Sequence, residues 1–131
     1  MKLSRGDFCG ILRQYMYPLK LYLRHRANLV SFVLSVSINL FIWGWLLFYI
    51  RKQDYPLFLH YTVLFGVDYT GEWYKVFSVP LGGLCILIIN FFLGWMLFHK
   101  DDFAGVLLNA ITVFIQIIFL VTAVLLVFLN V

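Results

Sequence analysis

Apolar and polar residues are sorted into blocks along this chain rather than interleaved. Residues 28–50, 76–98 and 103–129 are long apolar runs with no Asp, Glu, Lys, Arg or His in any of them. Each exceeds the roughly 20 residues that carry an α-helix across a ~30 Å hydrocarbon layer. The pattern predicts an all-α integral membrane fold with three transmembrane helices. A four-residue connector, 99–102, joins the second run to the third. Gly94 and Gly105 flank it, which suits a tight helical hairpin.

Residues 1–27 follow another rhythm. Phe8, Ile11, Leu12, Tyr15, Met16, Leu19, Tyr22 and Leu23 recur three or four apart, the spacing of an amphipathic helix. Arg13, Lys20 and Arg24 fall largely off that stripe, as in a helix lying at the membrane interface. Pro18 removes a backbone donor and crowds the carbonyl of Gln14, so a break belongs there.

Composition narrows the class. Of 131 residues, 63% are hydrophobic and 12% charged, too few charges to coat a water-facing domain. One membrane domain is expected. The net charge of +4 is concentrated at one end, with Lys2, Arg5, Arg13, Lys20, Arg24 and Arg26 all ahead of the first span. Beside a hydrophobic span, such an arm points to the lipid bilayer and its anionic lipids, not to nucleic acid. The positive-inside rule then sets the amino terminus in the cytoplasm, with segment 51–75 outside. It returns 99–102 to the inside and sets the carboxy terminus outside, a multi-pass topology in a plasma (inner) membrane. The first apolar run starts too late and is too long for a signal-peptide core. Cys9 and Cys85 fall on ground too different for a disulfide or a metal pair.

Two groups of residues could carry function. The first is the set of mid-membrane amides Asn39, Asn90 and Gln116, one per span and at similar depth. Ser31 and Ser35 share a face with Asn39, and Asn109 and Thr112 lie near the Gln116 face. An amide in hydrocarbon costs several kcal/mol without a partner, so these groups are expected to meet. They read as interhelical glue, or else as a polar path for a small solute. The second group is segment 55–75, which has seven aromatic residues and Gly66 and Gly71 as candidate turn glycines of positive φ. Its candidate binding residues are His60, Tyr61, Gly66, Asp68, Gly71, Glu72 and Trp73. His60, Asp68 and Glu72 could ligate a metal or exchange protons. They match no metal-binding or catalytic motif, so neither an enzyme nor a cofactor or metal is expected.

Leu59, His60, Tyr61, Phe65, Gly66, Asp68 and Gly71, followed by Pro80 and Asn90, resemble an LHY…FG-D…G box. That box is found ahead of a Pro- and Gly-bearing span in a group of small bacterial polytopic membrane proteins to which no activity is assigned. More distantly, it is similar to the proline–histidine–glycine loop of SdpI-like toxin-immunity membrane proteins. There a Pro stands two residues before the His, whereas here Pro56 is four before His60, and Thr62 replaces the usual Asn or Asp. The resemblance covers about 35 residues. It implies a bacterial inner membrane and a loop that is a defined feature. The expected role is a non-enzymatic membrane subunit or binding module presenting 55–75 at the outer interface, self-associated or bound to another membrane protein. The alternative is an oligomeric channel or transporter component built on the amide seam.

Overall fold

The computed structural model describes residues 18–131 apart from 53, 55 and 63–65; for 60–62 and 66–69 it gives strand placement only. The expected amphipathic helix over 7–23 falls mostly outside the described residues. Its last turn is α1, Leu19–Arg24, which begins at Pro18. His25, in extended conformation, separates α1 from α2, Arg26–Tyr49. Then come strand β1, Leu57–Thr62, strand β2, Gly66–Gly71, and a 3-10 turn, Trp73–Phe77. Helices α3, Ser78–Phe98, and α4, Asp102–Asn130, complete the order.

Three helices are long and apolar enough to cross a membrane. At 24, 21 and 29 residues, α2, α3 and α4 measure about 36, 32 and 44 Å at 1.5 Å per residue. Their burial is inverted relative to a protein folded in water. Asn28, Ser35, Asn39, Asn109, Thr112 and Gln116 are buried, while Val30, Leu40, Phe48, Met96 and Phe114 are exposed. That distribution is compatible with a lipid surround, which gives apolar side chains no reason to hide and makes a partner for an inward polar group valuable. The hydroxyls that do face outward follow the same rule. Ser37 and Thr122 donate to the carbonyls of Val33 and Ile118, one turn back, at 2.8 and 3.0 Å.

Helix α4 is central: it packs along both α2 and α3, which touch each other much less. The α3–α4 hairpin is as tight as the flanking glycines predict. A Cβ on Gly105 would stand 3.0 Å from the Gly94 carbonyl oxygen and 2.9 Å from the Phe98 ring. Close approach of the two backbones therefore depends on small residues there. Asp101 starts α4, its carboxylate accepting from the amides of Phe103 and Ala104 at 2.9 and 3.3 Å.

The departure from all-α lies in segment 51–75. Strands β1 and β2 pair antiparallel, with Leu57 opposite Gly71 and Thr62 opposite Gly66. The register slips on either side of His60, which accounts for the lack of clean apolar/polar alternation there. Leu57 seats this hairpin by entering a cluster with Ile42, Leu46 and Ile50 of the α2 end, Val76, and Ala123, Leu126 and Val127 of α4.

Candidate functional site

The inside of the bundle holds polar groups in layers. Nearest the α3–α4 connector, Asn109 Nδ2 donates to the Tyr22 hydroxyl at 2.6 Å and to Asn28 Oδ1 at 3.0 Å. Asn28 Nδ2 in turn donates to the Tyr22 carbonyl at 3.3 Å. Tyr22 has no exposed surface, and the rings of Phe91 and Phe98 meet it edge-on at 5.5 and 5.3 Å. Burial pushes its hydroxyl pKa up, and the hydrogen bond from Asn109 offsets part of that. The α1 turn is thus pinned into the bundle by its aromatic residue. A surface-lying helix would leave that residue in the headgroups.

Deeper in the bundle, Asn90 Nδ2 donates to Thr112 Oγ1 at 3.0 Å, and Thr112 donates to the Leu108 carbonyl at 2.9 Å. Next comes a cluster that joins all three long helices. Asn39 Nδ2 donates to Gln116 Oε1 at 3.2 Å and to the Pro80 carbonyl at 3.1 Å. Gln116 Nε2 donates to the Gly83 carbonyl at 2.7 Å. Gly83 leaves room for both amides: a Cβ there would lie 2.9 Å from Asn39 Nδ2 and 3.0 Å from Gln116 Oε1, so the amides would have to shift.

Of the three expected amides, the structure unites Asn39 and Gln116. It does not unite Asn90 with them, because Thr112, one turn before Gln116 on α4, takes its amide first. Among the described residues, Ser35 Oγ and Trp45 Nε1 are buried without a hydrogen-bond partner. The Tyr22–Asn28–Asn109 layer was not anticipated. Tyr22 reads as one more member of an apolar stripe, and Asn28 as a boundary residue.

The hairpin is the second candidate site. His60 stands in β1 opposite Tyr69, with Tyr61 opposite Val67 and Asp68 between those two positions in β2. The structure describes the side chains of none of these, nor of Gly66's neighbours 63–65. Glu72 is exposed and its carbonyl accepts from the Lys75 amide at 3.0 Å, opening the 3-10 turn. Trp73 is half-buried, its ring edge-on to Phe77. Gly71 does not adopt the positive φ expected of it. A Cβ there would sit 2.5 Å from Leu59 Cδ1, so the end of that side chain would have to shift.

A clamp from α4 holds this hairpin. Asn130 Oδ1 accepts from the Phe58 amide at 2.7 Å, and Asn130 Nδ2 donates to the Phe58 carbonyl at 2.8 Å. One side-chain amide thus satisfies both backbone groups of an edge-strand residue, as a neighbouring strand would. Its nitrogen also donates to the Leu126 carbonyl at 2.8 Å, which fixes the side chain to its own helix.

Comparison with protein-family models, with curated proteins and with solved structures found no match. The site's geometry is therefore the basis for a functional reading. Among the described residues no group of three or more His, Cys, Asp or Glu side chains converges on a metal-sized centre. Within each layer the polar groups bond to one another and to backbone carbonyls, which is the chemistry of helix association. The hairpin is held on the bundle by Leu57 and by the Asn130 clamp.

Proposed function

We propose that this chain is a small multi-pass membrane subunit whose work is non-enzymatic binding, with the hairpin as its recognition element. In this reading the basic end of the chain is cytoplasmic, held against anionic lipid. The hairpin stands at the outer face of a plasma membrane, and the connector after α3 is inside. The proposal agrees with the bacterial inner-membrane setting that the resemblance in 59–94 implies. It rests on one observation: two independent contacts, Leu57 in the core and Asn130 on the β1 edge, hold the hairpin on the bundle. A loop that only joins two spans needs neither. A fixed, aromatic-rich hairpin at a membrane boundary suits a membrane-protein partner, including a second copy of this chain.

The amide seam fits the channel alternative less well, because Asn39, Asn90 and Gln116 each donate to a partner within the bundle. To test the binding reading, a photoreactive residue is placed at Thr70 in the full chain in intact cells. We expect a discrete adduct there, absent when the probe is at lipid-facing Met96, and lost when His60, Asp68 and Trp73 are replaced by alanine around the retained probe. Equal, diffuse labelling from both positions would defeat the proposal.

A further inference from the structure

A cleft of about 630 Å³ opens at the hairpin end of the bundle. Its walls come from Trp43 of α2, Leu59 of β1, the 3-10 turn, the first turns of α3, and Leu126 of α4. The Trp43 ring stacks on Phe77 at 5.7 Å and 15°, giving one side a flat aromatic wall. The lining changes character along α3. Tyr74, Lys75 and Ser78 form a polar, exposed rim, while Val79 and Leu81 lie further into the span. Leu81 is 52% exposed on a helix long and apolar enough to cross a membrane, so the cleft opens sideways there. From Lys75 to Leu81 the chain rises roughly 10 Å, passing from 3-10 into α-helix.

We infer that this cleft is a binding site for one acyl chain of an anionic phospholipid, its headgroup at Lys75. Three observations converge on an amphiphile of that charge. The walls are overwhelmingly apolar, so a soluble anion would leave most of the cleft unused. Trp43, Trp45, Trp73 and Tyr74 cluster at this end, the residues that mark the level where hydrocarbon meets headgroups. That level crosses the cleft between its polar rim and its apolar floor. Among the described residues of the lining Lys75 carries the charge, and the positive end of the α3 dipole lies beside it. A cation and a helix N-terminus at the mouth of an apolar slot complement a phosphate with a hydrocarbon tail. This site is at the opposite end of the bundle from Lys20, Arg24 and Arg26. It stands whether or not the hairpin has a protein partner.

The test uses full-length protein in phosphatidylcholine vesicles doped with phosphatidylglycerol carrying a photoactivatable group in its acyl chain. Adducts are mapped by mass spectrometry. Enriched labelling of Trp43 and residues 76–81, relative to a phosphatidylcholine probe of the same chain, is the expected result. Lys75→Gln should cut that enrichment roughly five-fold, the worth of one surface lysine to an anionic lipid. Leu81→Trp, at an exposed position that folding tolerates, should lower labelling by both probes by narrowing the mouth. Equal labelling by the two probes, enrichment unchanged by Lys75→Gln, or labelling unchanged by Leu81→Trp would overturn the proposal. So would competition by excess glycerol 3-phosphate, which would make the site one for a soluble anion.

Discussion

Gln116 shows how single residues hold this bundle. It is fully buried and engages two other helices through both ends of its amide, one to Asn39 and one to Gly83. Gln116→Leu removes those bonds and strands the Asn39 amide with one remaining acceptor, the Pro80 carbonyl. Membrane hydrogen bonds of this type contribute about 0.6 to 2 kcal/mol. We expect Gln116→Leu to destabilise by about 1–2 kcal/mol in a detergent unfolding titration. Asn39→Leu on the same background should then add less than it costs alone, because the pair acts as a unit. Full additivity would mean that the two amides are not partners. Gly83→Val should cost more than either, since its side chain must displace both amides. At this scale the sequence was partly legible. An amide in an apolar run announces that it needs a partner, and Asn39 and Gln116 found each other. Depth alone could not say that Thr112 would take Asn90, nor that Tyr22 would leave an apolar stripe to accept from Asn109. Those choices depend on helix rotation and crossing, which spacing within one helix does not encode.

Among the elements, the hairpin was least readable and is the most consequential. Its two strands alternate poorly because the register slips around His60 and because Leu57 and Leu59 face a bundle instead of a second sheet. Its anchor, Asn130, lies 72 residues from Phe58, and nothing local marks the pairing. Helices α2, α3 and α4 start and stop within two residues of the three apolar runs, as expected of helices that satisfy their own backbone along an apolar stretch. Asn130→Ala tests the clamp directly. Amide exchange at Phe58 should accelerate by roughly ten-fold, the kinetic equivalent of one or two lost hydrogen bonds. Exchange within α2 and α4 should hardly change, because Leu57 still fills the core. Unchanged exchange at Phe58 would show that the clamp carries no weight.

Taken whole, the molecule is an inside-out bundle with an asymmetric pair of ends. At one, a basic turn is pinned by Tyr22 and the short, Asp101-capped connector closes α3 to α4. At the other, an aromatic collar surrounds a clamped hairpin above an apolar cluster. Burial explains why polar residues line the interior and apolar ones the perimeter, and charge at the basic end supplies a direction. The central claim is therefore a three-span topology with the hairpin outside. Its most direct test is cysteine accessibility in intact cells, after Cys9 and Cys85 are replaced by serine. Single cysteines are placed at Lys20, Thr70 and Lys100, all exposed positions. A membrane-impermeant maleimide should label position 70 in intact cells, and positions 20 and 100 only after permeabilisation. Protection of position 70 with labelling of 20 and 100 would invert the molecule, and labelling of 70 and 100 together would contradict the spanning of α3.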